Sequence, residues 1–382
     1  MPSAIPSAIQ TLLSQAPVSD AAVAAFLEAH TFPIIEGRQA TFVFQGAVDA
    51  VHLRHWVYGL ASSQSFHRIE GTRLWYHTLE LPPQSRVEYK FEVVLNGQHQ
   101  WIQDPLNPNF AHDPFGANSV CAGQGYRRPA WTEPDPEARQ GIVKEMLFKE
   151  TKLGGPRRVS VYLPARFRET RRYPLLIVHD GGDYMRYASL QTVLDNLIHR
   201  LEVAPLVVAL THPGDRLSEY PNHPGHAAFI AEQLLPEMNA KFPLYDAPAS
   251  RCLMGASFGG VAALATAWRY PGTFGRLLLQ SGSFAFTDIG ENKRGPTFAK
   301  VVEFINAFRD QPGKPSEKVY VSCGTYESLI YENRSMVPVL QATGMEVRYE
   351  EARDGHNWEN WRDRLRSGLS WLFPGPLWMV YE

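Results

Sequence analysis

Gly255-Ala256-Ser257-Phe258-Gly259 sets a serine between glycines two positions away on either side. This is the G-x-S-x-G pattern that holds a serine on a tight strand-to-helix turn with its hydroxyl exposed for nucleophilic attack. Such a turn strains the serine backbone, and a side chain at either glycine would collide with the neighbouring strand or helix. The five residue types are common, so the flanks carry the weight. Arg251-Cys252-Leu253-Met254 reads as a strand, and Gly259 to Tyr270 reads as a helix of small residues that Pro271 stops.

A serine hydroxyl is a weak nucleophile at neutral pH and needs a histidine to take its proton and later return it to the leaving group. In a strand-turn-helix setting of this kind the partners follow in the order serine, acid, histidine. Of 13 histidines, only His356 lies beyond Ser257, in Asp354-Gly355-His356-Asn357-Trp358 at the entrance to a final helix. The acid is expected just past the strand Lys318 to Gly324, where Glu327 is the first carboxylate; Glu332, Asp354 and Asp288 are the alternatives. Acyl transfer also needs donors for the developing oxyanion, worth about 3 kcal/mol each. The N–H of Phe258 is the expected first donor, and Gly181 or Gly182 in His179-Asp180-Gly181-Gly182-Asp183-Tyr184 the expected second.

These groups need a scaffold. From residue 136 onward, eight apolar strand-like runs (GIVKEMLFKE, RRVSVYLP, YPLLIVHD, PLVVALTHP, SRCLMG, GRLLLQSGS, KVYVSCG and EVRYEEA) alternate with helical patterns at Ala227 to Phe242, Val261 to Arg269, Phe298 to Arg309 and Ser335 to Thr343. That rhythm predicts an α/β-hydrolase fold, a mostly parallel eight-stranded sheet with helices on both faces. Thr41 to Leu95 instead shows short alternating runs broken by Gly, Pro and Asn, as in an antiparallel, immunoglobulin-like β-sandwich, after one helical pattern at Ala21 to His30. The proline-rich stretch Tyr126 to Arg139 reads as a linker, giving a sandwich domain over 1–135 and a catalytic domain over 136–382.

The 382 residues carry a formal charge of -2, with 44% hydrophobic and 12% aromatic residues. This describes a globular chain with no global field for nucleic acid or an anionic membrane. With no long apolar run and no leader-like N-terminus, the expected location is the cytoplasm. Cys121, Cys252 and Cys323 are odd in number and widely spaced, which predicts reduced thiols. His223 and His226 in HPGH are spaced for a metal, but Pro224 and Gly225 predict a loop there; no metal or cofactor is expected.

The chain resembles the enterochelin esterase family. The likeness rests on Arg68-Ile-Glu-Gly71-Thr72-Arg-Leu-Trp75, Leu81-Pro82 and Asp104-Pro105-Leu106-Asn107-Pro108 in the first half, and on HDGGDYM, GASFGG, GTYESLIYENR and DGHNWENWR in the second. It implies Ser257 as nucleophile, His356 as base and Glu327 as acid, at a place where feruloyl esterases of the same superfamily carry aspartate. It also implies a substrate, the ester bonds of a catecholate trilactone siderophore, hydrolysed in the cytoplasm to release iron. An anionic ferric catecholate calls for a basic, aromatic mouth, for which Tyr184, Arg186, Arg216 and Trp358 are the candidates, with Arg334 and Tyr220 beside them. A carbohydrate or feruloyl esterase is the alternative, since the sandwich also resembles carbohydrate-binding modules. A non-catalytic binding protein on the same fold is a third reading, opposed by the intact Ser, Glu and His set.

Overall fold

The computed structural model describes residues 5–15, 17–287 and 294–376. The chain forms two compact units. The first holds the chain up to Arg128 together with Thr325–Glu327 and Ala352–Asn357; the second holds Pro129–Gly324, Ser328–Glu351 and the chain from Trp358 onward.

In the first unit, one sheet runs in the order Ile34–Glu36, Gln39–Gln45, Leu74–Glu80, His67–Arg68. The other runs Ser63–Ser65, Ala50–His55, Arg86–Leu95, Gly116–Ala122, Phe110–Asp113, with Gln98–Ile102 also paired to Arg86–Leu95. Alternation decides what faces inward: in Ala50–His55, Val51, Leu53 and His55 are buried and their neighbours are not. Phe42, Phe44, Trp75 and Leu79 from the first sheet pack with Val51, Leu53, Val87, Tyr89 and Phe91 from the second, so the apolar faces close on each other as a sandwich. The opposite face of the first sheet, through Val43 and Leu74, is covered by helices Ser7–Leu13 and Asp20–Ala29. Ser19 caps the second, accepting from Ala22 N–H at 3.2 Å. The first of these helices has only seven residues, too few for a periodicity to show in the sequence. The DPLNP motif is a polar pin: Tyr89 donates to Asp104 at 2.6 Å, and Asn107 donates to Tyr89 and to the Val120 carbonyl.

The second unit is built on eight strands: β1 (Ile142–Phe148), β2 (Arg157–Leu163), β3 (Leu175–Val178), β4 (Val207–Thr211), β5 (Arg251–Ala256), β6 (Arg276–Gln280), β7 (Lys318–Gly324) and β8 (Glu346–Ala352). Their spatial order is β1-β2-β4-β3-β5-β6-β7-β8. β1, β2 and β4 pair antiparallel, while β3 pairs parallel with β4 and β5, β5 with β6 and β6 with β7. Residues of the central strands alternate between two cores. Leu175, Ile177, Leu253, Leu277 and Val319 face one that includes helices Phe258–Arg269 and Ala299–Asp310. Leu176, Val178, Met254, Leu278 and Tyr320 face another that includes helices Leu190–His199 and Trp358–Leu372. Double-sided burial is why these strands read as continuous apolar runs. This is the α/β-hydrolase fold preceded by a β-sandwich, and Cys121, Cys252 and Cys323 are buried and joined in no disulfide.

Three local expectations fail. HPGH is not a loop: a helix starts at Pro224, which fits the first helical position because its missing N–H would have had no partner there. What reads in the sequence as one helix to Phe242 contains a π-helical stretch, Phe229–Leu234, just before Pro236. Proline cannot donate to the carbonyl four residues back, and a widened turn absorbs the missing bond. The helix expected from Ser335 begins five residues earlier, at Ile330.

Candidate active site

Ser257 stands between β5 and helix Phe258–Arg269 with φ 57° and ψ −121°, a conformation that costs free energy and persists only where the surroundings over-determine it. Its N–H donates to the Gln280 carbonyl at 2.9 Å, and its own carbonyl accepts from Ser283 N–H at 3.2 Å. The first glycine is required sterically and the second is closely packed. A Cβ on Gly255 would lie 2.2 Å from the Gly259 carbonyl oxygen, and one on Gly259 would lie 3.3 Å from both Asp180 Oδ2 and His179 Cβ. Phe258 opens the helix, so its N–H is among the four that an α-helix leaves without an internal partner. Ser257 Oγ lies 3.2 Å from Ser283 Oγ. Ser283 escaped the sequence reading; the available signal was its place just past the C-terminal end of β6, where α/β sheets carry their sites.

The His179–Tyr184 segment turns at Asp180, which is left-handed at φ 56°, and Gly181 opens helix Gly181–Tyr187. Gly181 is demanded by packing, since a Cβ there would sit 2.5 Å from Leu210 Cβ; at Gly182 it would meet His212 Nδ1 at 3.0 Å. Asp180 is buried and accepts from Arg216 Nε at 2.9 Å on both oxygens, while its N–H donates to the Tyr220 hydroxyl at 3.0 Å. Arg216 also reaches the Ala256 carbonyl at 3.4 Å, tying this loop to the turn that carries Ser257. Sequence reasoning named Arg216 and Tyr220 as isolated groups and missed Asp180 as their common partner. Beneath them, His179 Nδ1 donates to the Met254 carbonyl, leaving Nε2 to accept from His226 Nε2 at 3.0 Å. Burial holds both imidazoles below their ordinary pKa, so the pair is neutral. Among the described residues, no group of three His, Cys, Asp or Glu side chains is arranged to hold a metal ion.

In the first unit, His356 Nδ1 lies 2.7 Å from Glu327 Oε2. The Glu327 side chain is fully buried and that of His356 is 37% exposed. A carboxylate can only accept, so Nδ1 carries the proton and Nε2 is the basic nitrogen. The alternative acids are engaged elsewhere: Glu332 pairs with Arg294, and Asp354 with Arg86 at 3.2 Å. Asp288 lies outside the described residues.

The expected mouth residues divide. Tyr184 is fully buried, donating to Gln280 Oε1 at 2.8 Å and packing edge-on against Trp358 with ring centroids 5.2 Å apart. Trp358 is half-buried and also touches Tyr187 and Trp361. Arg186 is exposed, its guanidinium over the Tyr187 ring, and Arg334 is held by Glu351 through two 2.7 Å bonds.

Residues 151–372 match the family model described as "Putative esterase". The chain belongs to this esterase family. Membership makes it a carboxylic ester hydrolase, and the enterochelin esterase resemblance is borne out among its relatives. The chain is 26% identical over 333 residues to the iron(III) enterobactin esterase of Escherichia coli K12, covering 80% of this chain and 81% of that one. The crystal structure of ferric enterobactin esterase from Salmonella typhimurium superposes with a TM-score of 0.73 at 22% identity, over 87% of this chain and 93% of the other. A ferulic acid esterase structure matches with a TM-score of 0.53 at 18% identity, over 61% of this chain and 98% of its own. No described helix is long and apolar enough to cross a membrane.

Proposed function

We propose that this chain is a serine esterase of the enterochelin type, cleaving the ester bonds of a catecholate siderophore, free or iron-loaded, through an acyl-enzyme. Ser257 Oγ attacks the ester carbonyl while His356 Nε2 takes its proton. The Phe258 N–H, with that of Gly181 or Gly182, stabilises the oxyanion as it forms. His356 then gives the proton to the departing alkoxide, and a water activated by the same imidazole releases the acid and restores Ser257. Glu327 holds the Nδ1–H tautomer and stabilises the imidazolium. The observation that supports this most strongly is the 2.7 Å contact between His356 Nδ1 and the buried Glu327 carboxylate, because it leaves the basic nitrogen directed away from the acid.

Arg186 and Trp358 are the groups we propose to meet the substrate, with Tyr184 supporting Trp358 from beneath and Arg216 ordering the Asp180 loop. In this reading residues 1–135 form the accessory domain and 136–382 the catalytic one, acting in the cytoplasm. The relatives named for enterobactin hydrolysis match both halves of the chain, whereas the ferulic acid esterase matches 61% of it. Turnover of a ferric catecholate trilactone compared with that of a feruloylated sugar tests the assignment. Preferential hydrolysis of the trilactone is expected; preferential release of ferulate would transfer the protein to the carbohydrate esterases.

A further inference from the structure

The compact unit that contains the sandwich also contains the two short segments that bear Glu327 and His356, and the bonds holding them there centre on Arg86. This residue begins the strand Arg86–Leu95, and its side chain is 1% exposed. Its Nη1 donates to both carboxylate oxygens of Asp354, at 3.2 and 3.4 Å, and to Asn357 Oδ1 at 3.1 Å, while Nη2 donates to Glu88 at 2.9 Å. Its backbone N–H donates to the Arg353 carbonyl at 2.9 Å. One residue thus grips the chain on both sides of His356. Asp354 closes the turn from within, accepting from Gly355 N–H at 2.7 Å and from Asn357 Nδ2 at 2.8 Å.

The acid is tied to the same frame. Tyr326, the neighbour of Glu327, shares a hydroxyl bond with Ser85, the neighbour of Arg86, and its carbonyl accepts from Tyr58 N–H at 2.9 Å. The two segments are joined by Thr325 N–H to the Ala352 carbonyl at 2.7 Å and Tyr326 N–H to the Asp354 carbonyl at 3.1 Å. Burial pushes the Asp354 carboxyl up to about 6 even though Arg86 acts in the opposite direction, so the turn depends on the guanidinium to keep a charge there.

We propose that Arg86 is a positioning residue for ester hydrolysis: by clamping the Asp354–Asn357 turn it keeps His356 on Glu327, which makes the sandwich part of the catalytic apparatus as well as an accessory fold. The inference rests on the role proposed above for His356 and Glu327. Misplacement of a catalytic group by about 1 Å costs on the order of 10²-fold in rate, whereas binding of a small substrate need not change.

The test measures kcat and KM on a small activated ester, the rate of Ser257 labelling by a fluorophosphonate, and the melting temperature, for wild type, Arg86→Met, Arg86→Lys and Asn357→Ala. Arg86→Met is expected to lower kcat and the labelling rate together by roughly 10- to 100-fold with KM within about twofold, Arg86→Lys to recover part of that loss, and Asn357→Ala to lower kcat several-fold. A folded Arg86→Met enzyme with kcat within twofold of wild type overturns the proposal, as does a loss confined to the melting temperature. If Arg86→Met does not fold, Asn357→Ala decides, because it removes one Arg86 contact without stranding a buried charge; an unchanged kcat there is equally fatal. Failure of wild-type Ser257 to label would instead refute the esterase mechanism itself, and so is read separately.

Discussion

The turn carrying Ser257 and the turn carrying His356 are held by different means. At Ser257 the backbone does the positioning: a left-handed residue, carbonyl and amide bonds to β6 and its following loop, and a glycine whose Cβ would strike the next helix turn at 2.2 Å. At His356 side chains do it: a buried guanidinium from a strand 268 residues earlier grips Asp354, and a buried carboxylate takes the ring. Backbone positioning of this kind leaves a local signature, because only glycine fits. Side-chain positioning leaves none, since an arginine that begins a sandwich strand looks like any other.

Breaking each turn at its chemistry should give the largest effects. Ser257→Ala is expected to reduce turnover by on the order of 10⁶-fold without altering the fold, by analogy with other serine hydrolases, as read from kcat beside an unchanged circular dichroism spectrum. Glu327→Gln should cost about 10³- to 10⁴-fold; a near-normal rate would move the acid to another carboxylate.

Stability measurements sharpen the contrast. Gly255→Ala should destabilise the hydrolase unit by roughly 3 kcal/mol or more, because backbone cannot yield to the added methyl as a side chain can. Gly182→Ala, where the neighbour is the His212 ring at 3.0 Å, should cost about 1 kcal/mol; equal losses in denaturant melts would show that the turn at Ser257 is not specially constrained.

The sandwich carries a smaller, pH-dependent term. Burial lowers His77 to about 4, and its Nδ1 lies 3.1 Å from the Ser65 carbonyl, to which it donates. The unfolded chain therefore takes up this proton first, so stability is lost as pH falls from about 6.5 towards 4, by at most ~3 kcal/mol from this group. The difference in stability between wild type and His77→Gln should shrink across that window; a difference independent of pH would contradict the assignment.

Legibility followed the same division. The six inner strands of the hydrolase sheet were visible as apolar runs because two cores bury them on both faces, whereas the edge strands β1 and β8 are exposed or half-buried along their length and were visible only as strand-like runs; the Ser257 turn was visible through its glycines. The HPGH helix was hidden because proline and glycine signal a loop unless the proline happens to occupy the first helical turn. Asp180 was passed over because its partners, Arg216 and Tyr220, lie some 36 and 40 residues away, and Arg86 because nothing local distinguishes it. Long-range polar pairs are set by the fold, and a single sequence records the two partners without recording the pairing.

The central claim is that Ser257 is an activated nucleophile, and covalent labelling tests it most directly. Folded wild-type protein treated with a fluorophosphonate should yield one phosphonyl adduct, mapped by mass spectrometry to the peptide containing Ser257 and absent from Ser257→Ala and from denatured protein. Folded protein that remains unlabelled, or carries the adduct on another serine, would contradict it.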